Sequence, residues 1–274
     1  MQIIYELKKR KKYEYIDDYL LSIRSKGRFS FTFDELKNTF DSSEQAIRKK
    51  ISRLKADNKI ATIRKDFYVV LPPEYAENGT LPVYLYIDEL MRYLKKDYYI
   101  GLYSAAALYG AAHQQPMEYQ VIVQQPIRDF VLGDTRISFF FRKTWEQNSI
   151  EKKKSAAGYF NVSSPELTAL DLMSFNGKIG SISRIVTVLE ELIEEIKSSL
   201  IYKSAAAYPQ SSALQRLGYL FDKVLGRDDL AKAIQRVLKG RATQNIVLSI
   251  SAPKKGSIDK DWKVDVNVDI ESDL

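Results

Sequence analysis

The sequence predicts an α+β protein, an N-terminal winged helix-turn-helix followed by a larger mixed α/β C-terminal domain. Three features point that way. Helix-start signals and short amphipathic runs precede a β-prone hairpin within the first 72 residues. The net positive charge of the chain sits in that same stretch. Beyond a proline-rich break, helical and strand patterns intermingle without an internal repeat.

Taken in order, Tyr13 to Arg24 places Tyr15, Ile16, Tyr19, Leu20 and Ile23 at helical spacing and stops at Lys26-Gly27. Thr32 and Glu35 form a capping box that opens a helix of about two turns. The polar turn Asp41-Ser42-Ser43 follows, as expected between the two helices of a helix-turn-helix. In the next helix Ser42 is the expected cap, with Gln45 reaching back to complete a second box. Ile47, Ile51 and Leu54 make one apolar stripe, and Gln45, Arg48, Lys49, Ser52, Arg53 and Lys55 fall on the remaining surface. Ile60 to Ile63 and Phe67 to Leu71 are β-prone runs flanking Arg64-Lys65-Asp66, which reads as a hairpin with a charged tip.

Pro72-Pro73, the segment 77–80 and Pro82 mark a linker, so the expected boundaries are 1–72, 73–82 and 83–274. From Val83, Tyr84, Ile87, Leu90, Met91 and Leu94 form a helical stripe. Tyr98 to Ala112 reads as one buried helix rich in small residues. Strands are expected over 119–124, 137–142 and 159–163. Helices follow from Ser164-Pro165-Glu166, over 183–198, 212–225 and 228–239, and β-patterned segments over 246–250 and 262–270.

Composition narrows the function classes. The chain has no cysteine, which excludes disulfides, thiol catalysis and zinc–thiolate sites. The amino terminus lacks the apolar core of a signal peptide, and no apolar run approaches the ~20 residues needed to span a bilayer, so a cytoplasmic protein without membrane partners is expected. Residues 1–71 hold 17 Lys and Arg against 10 Asp and Glu, whereas residues 72–274 hold 25 of each. A field confined to the first domain steers that domain toward a polyanion, and double-stranded DNA is the expected partner. The cluster Lys8 to Lys12 has no adjacent apolar insertion face, which disfavours a membrane surface.

Within that frame, the helix 43–55 is expected in a major groove. Gln45, Arg48, Lys49 and Ser52 are its candidates for base contact, and Ser43, Arg53, Lys55, Arg64 and Lys65 its candidates for phosphate contact. Lys232, Arg236 and Lys239 share one face of a later helix, with Arg241 just beyond. They are either a solvated face or a second surface for nucleic acid or a partner.

The ordering resembles the AbiEi-type antitoxins of type IV abortive-infection toxin–antitoxin pairs. The resemblance rests on the aromatic strand Asp66-Phe67-Tyr68-Val69, on the small-residue stretch from Tyr99 to Gly110, and on Val162 to Leu172. In such proteins the wing usually reads arginine–glycine before its aromatic, whereas Lys65-Asp66 stands here. The resemblance implies a repressor that binds inverted repeats in its own promoter. It also implies a second domain that counters a nucleotidyltransferase-like toxin without a stable complex.

Catalytic alternatives are thinly supported. His113, the single histidine, has no second histidine or cysteine to share a metal with. Asp265, Asn267 and Asp269 alternate and could hold magnesium in a nucleotidyltransferase, yet Val264, Val266, Val268 and Ile270 opposite them explain the row as a half-buried strand. Gly180-Ser181, the glycine-serine of such an enzyme, lies far from the acids in sequence. Asp171 with Glu166 reads as helix-start electrostatics. The serine-hydrolase elbow and the phosphate-binding loop are both missing. No catalytic residue, metal or cofactor is expected. A winged-helix repressor with a ligand- or protein-sensing C-terminal domain remains the alternative, with a nucleotidyltransferase behind it.

Overall fold

A computed structural model describes residues 13–77, 79–111, 118–253 and 256–270. The chain divides into two compact units. The first comprises Met1–Asp97 with Phe130–Arg136 and Lys153–Phe160; the second comprises Tyr98–Asp129, Ile137–Lys152 and Asn161–Leu274. The first unit thus runs past the expected end at 72, and the helical stripe after Val83 counts with it.

The first unit begins with α1 (Ile16–Ser25), β1 (Ser30–Thr32), α2 (Phe33–Thr39) and α3 (Glu44–Ala56). The hairpin β2 (Ile60–Arg64) and β3 (Phe67–Val70) follows, then α4 (Pro73–Ala76) and α5 (Ile87–Tyr93). The strands form one antiparallel sheet in the order β1-β3-β2. α1 buries Ile16, Tyr19, Leu20 and Ile23 as its spacing demands. Tyr15, expected on the same stripe, precedes the helix and is exposed. α2 opens on the expected box, with the Glu35 amide donating to the Thr32 hydroxyl and the Glu35 carboxylate accepting from the Thr32 amide. In α3 the cap is Ser43, not Ser42, because the Ser43 hydroxyl accepts from the Ala46 amide at 3.2 Å. Gln45 therefore sits one position too early to close a box, and its side chain stays in solvent.

Ile47, Ile51 and Leu54 of α3 join Tyr19, Leu20, Phe31, Leu36 and Tyr68 in a single core. The rings of Phe31 and Tyr68 stack at 5.4 Å, and Tyr19 meets Phe31 edge-on. Burying a large side chain of this kind contributes roughly 1.5–3 kcal/mol, so this core rests on a few aromatic and isoleucine side chains.

The second unit starts with β4 (Tyr98–Ile100), α6 (Leu102–Leu108), β5 (Glu118–Val123), β6 (Phe130–Leu132), β7 (Thr135–Phe141), β8 (Ile150–Ser155) and β9 (Gly158–Ser163). β6 and the adjoining parts of β7, β8 and β9 count with the first unit. The sheet order is β6-β7-β5-β4-β9-β8. β4 pairs antiparallel with β5, Tyr99 opposite Ile122, and parallel with β9 at Ile100 and Val162. Tyr98 to Ala112 is thus not one helix. Tyr98-Tyr99-Ile100 is aromatic and β-branched and takes the central strand, and the alanine-rich helix begins only after Gly101. Strand and helix are both buried, so periodicity could not separate them. A β-carbon on Gly101 would stand 2.8 Å from the Ile122 side chain, which makes that turn a close approach. β8, IEKKKS, lies at an edge of the sheet, and its lysines hid it from a hydrophobic reading.

The helical part comprises α7 (Pro165–Ser174), α8 (Asn176–Ile179), α9 (Ile182–Leu192), α10 (Ser198–Ala207), α11 (Ser211–Tyr219) and α12 (Asp228–Leu238). Ser164 caps α7 with Pro165 at its first turn, as expected. α10 was not foreseen; only Ile201 and Ala205 of it are buried, too thin a stripe to register. The last strands, β10 (Ile246–Val247), β11 (Ser257–Asp259) and β12 (Val264–Val266), form a small sheet in the order β10-β12-β11. β12 is much shorter than the expected 262–270. Among the described residues no helix is long and apolar enough to cross a membrane.

Candidate nucleic-acid interface and a buried charge network

α3 divides its surface cleanly. Ile47, Ile51 and Leu54 face the core, while Gln45, Arg48, Lys49, Ser52, Arg53 and Lys55 are exposed. Ser43 spends its hydroxyl on the cap. Some neighbouring cations are already paired. Lys37 meets Glu44 at 2.5 Å, and Lys50 and Lys59 both reach Asp17 on α1, at 2.6 and 3.3 Å. The hydrogen bond from Lys50 holds the Asp17 carboxyl below its usual range despite some burial. Among the described residues, Gln45, Lys49, Ser52, Arg53 and Lys55 have no side-chain hydrogen bond or ion pair and are exposed.

Arg48 is different. Its Nη1 donates to Asp66 Oδ1 at 3.2 Å, and its guanidinium lies 3.9 Å from the centre of the Phe33 ring. Asp66 stands at the hairpin tip with φ +59°. The tip is held in place: the Asp66 carbonyl accepts from the Phe33 amide, and the Lys65 carbonyl accepts from the Tyr93 hydroxyl at 3.1 Å. Phe67, the first residue of β3, packs its ring against Tyr93. Sequence reasoning chose Arg48 but missed Asp66 and Phe33 as its partners, because neither neighbours it in sequence.

The two tip cations diverge. Lys65 is exposed, whereas Arg64 is half-buried with its guanidinium 4.6 Å from the Phe130 ring. Lys8 to Lys12, which include Arg10 and supply five of the first domain's cations, lie outside the described residues. So does His113.

Of the later basic group, Lys232 and Arg236 on α12 and Lys239 at its C-cap are exposed, and Arg241 departs from them. Lys232 pairs with Asp228 at 3.7 Å, and Arg236 lies over the Tyr202 ring at 4.8 Å. Arg241 turns inward to donate to the carbonyls of Ala205, Ala206 and Tyr208 at the end of α10.

Asp171 is the largest departure from expectation. It is a fully buried carboxylate, not a helix-start acid. Its oxygens accept from the Tyr99 hydroxyl at 2.7 Å, the Tyr208 hydroxyl at 2.8 Å and the Arg142 guanidinium. Arg142 lies over the Tyr208 ring at 4.0 Å. Burial pushes the Asp171 carboxyl up against the pull of Arg142 and the two hydroxyls. Arg142, penalised by the same burial, is held charged by Asp171. Glu166 is buried as well and accepts from the Lys197 amide. A cleft of about 60 Å³ opens beside this network, lined by Arg142, Trp145, Ser149, Ser204 and Tyr208 among others. Sites for drug-sized ligands run to roughly 300–1,000 Å³, so this one has room for little more than water.

Of the residues weighed for nucleotidyl transfer, Ser181 and Asn267 are engaged in local structure. Ser181 caps α9, accepting from the Arg184 amide at 3.3 Å. The Asn267 amide ties Ser249, Ala252 and Pro253 into a loop. Among the described residues no group of three acidic or histidine side chains could hold a metal ion.

Comparison with known proteins agrees with the second unit. Residues 99–223 match the family model for the AbiEi antitoxin C-terminal domain, which bears out the resemblance to AbiEi-type antitoxins. A solved structure, described as the crystal structure of RV2827C protein from Mycobacterium tuberculosis, has a similar fold. It gives a TM-score of 0.63 at 14% identity, covering 90% of this chain and 89% of that one. No curated protein sequence matches.

Proposed function

We propose that the protein is the antitoxin and DNA-binding repressor of a type IV toxin–antitoxin operon. The first unit is a winged helix-turn-helix in which α2 and α3 are the paired helices, α3 reads the major groove and β2–β3 is the wing. It binds inverted repeats in its own promoter, and the second unit counters a nucleotidyltransferase-like toxin in the cytoplasm without catalysing a reaction itself. One observation carries the DNA reading. A three-helix and hairpin unit presents a helix whose outward face offers Gln45, Lys49, Ser52 and Arg53 uncommitted, with Arg48 held between them and the hairpin tip. These long donors suit base-edge acceptors and phosphates alike.

The test is a footprint of the full-length protein on its own upstream region, followed by titrations over a salt series. Paired protected half-sites are expected. Lys65→Ala should weaken operator and random duplex equally and reduce the salt slope by about 0.9, one phosphate contact. Absence of binding to any duplex at low salt would end the reading.

Ligand sensing, the second reading, has one specific observation in its favour, and it lies in the first unit. A cavity of about 320 Å³ is lined by Lys26, Arg28, Tyr84, Tyr86, Glu89 and Tyr159 among others, and Arg28 also bonds Glu35, the box acid of α2. Small-molecule-induced melting shifts that vanish in Arg28→Ala would raise this reading.

A further inference from the structure

We propose that Asp66 is a positioning residue for Arg48, fixing the guanidinium to read one guanine per half-site and keeping it off the phosphates. This rests on the DNA-binding reading above.

Three contacts define the guanidinium plane. Phe33 covers one face at 3.9 Å, Asp66 engages Nη1 at 3.2 Å, and the helix backbone sets the root of the side chain. Among the described residues, the edge formed by Nη2 and Nε has no hydrogen-bond partner. Two donors on one edge of a fixed plane match the paired acceptors O6 and N7 of guanine in a major groove. A freely rotating arginine would instead settle on whichever phosphate lay nearest, since an ionic contact to the backbone carries no sequence information.

The anchoring of the tip is what makes Asp66 suited to this. Its backbone is tied to the start of α2 through Phe33 and, one residue earlier, to Tyr93 of α5. The carboxylate is therefore a fixed post against which Arg48 leans. As an anion close to α3 it also repels phosphates, so it lowers affinity for unselected duplex while sharpening the choice of base.

Selection from a pool of randomised duplexes, using the full-length protein, tests this. Asp66→Asn is the informative variant, because asparagine accepts φ +59° as readily as aspartate does and should leave melting unchanged. Wild type should enrich a motif with a guanine in each half-site, and Arg48→Ala should lose preference at that position alone. Asp66→Asn should reduce the guanine preference about tenfold, bind random duplex several-fold more tightly, and steepen the salt slope by about 0.9 as Arg48 gains a phosphate. Phe33→Leu should move base preference the same way.

Unchanged guanine preference in Asp66→Asn would overturn the proposal. So would a parallel rise on selected and random duplex, which would reduce Asp66 to a bystander charge. Failure of the wild type to enrich any sequence or bind any duplex would instead remove the DNA-binding reading beneath it.

Discussion

The two units each contain an arginine–aspartate pair with an aromatic ring under the guanidinium, and the pairs serve opposite ends. Arg142 and Asp171 are buried with two tyrosine hydroxyls completing the carboxylate's shell, so neither partner can leave without stranding a charge. Arg48 and Asp66 make the same chemical contact with Arg48 half-exposed to water. An exposed pair contributes only about 0.2–1 kcal/mol, and the ring ~0.5–1 kcal/mol more. The first pair specifies one packing of the second unit. The second orients a side chain that keeps about half of its surface in water.

Breaking the buried pair should give the largest effect. Asp171→Ala is expected to destabilise the protein by about 3–5 kcal/mol, read from denaturant unfolding, because it leaves Arg142 uncompensated. Removing both charges with Arg142→Met and Asp171→Leu should cost less than removing either, and a larger loss in the double variant would contradict the account.

Arg48→Ala, by contrast, should cost about 1–3 kcal/mol of operator affinity, measured by titration against random duplex. Its melting temperature should hardly change. A large stability loss there would erase the distinction between the pairs.

Arg241 sharpens the comparison as a cation that looks exposed in sequence and is not. Arg241→Ala should destabilise by about 1–3 kcal/mol, through the lost charge-assisted bonds to the end of α10, with no change in duplex binding.

Asp17, linked to Lys50 and Lys59, should show the smallest effect. Its carboxyl is held below the ordinary 3.8, so its stabilisation is complete above that pH and fades as pH falls through the lowered value. Solvent screening limits it to under about 1 kcal/mol. Asp17→Asn should therefore differ from wild type at neutral pH and converge with it in acid.

What could be read from sequence follows the range of the interaction responsible. The Thr32–Glu35 box, the Ser164-Pro165 start and the Ile47, Ile51, Leu54 stripe each depend on residues within two turns of one another, and each was legible. The Ser43 cap was missed by one residue, since two adjacent serines offer the same hydroxyl. Asp171 and Arg142 are 29 residues apart on different elements, so no local pattern announces them. The same holds for Asp66 under Arg48, where the sequence gives a charged tip but not what the charge faces. Arg64 is a further case: its charge was legible in the sequence, and the Phe130 ring beside it was not.

The left-handed backbone at Asp66 limits what the hairpin tip can become. Only glycine, asparagine and aspartate sit there without strain, so the post facing Arg48 has three settings: nothing, a neutral amide or an anion. If the helix reads DNA as proposed, substitution at this one position tunes how strictly it discriminates between duplexes while the scaffold beneath it stays the same.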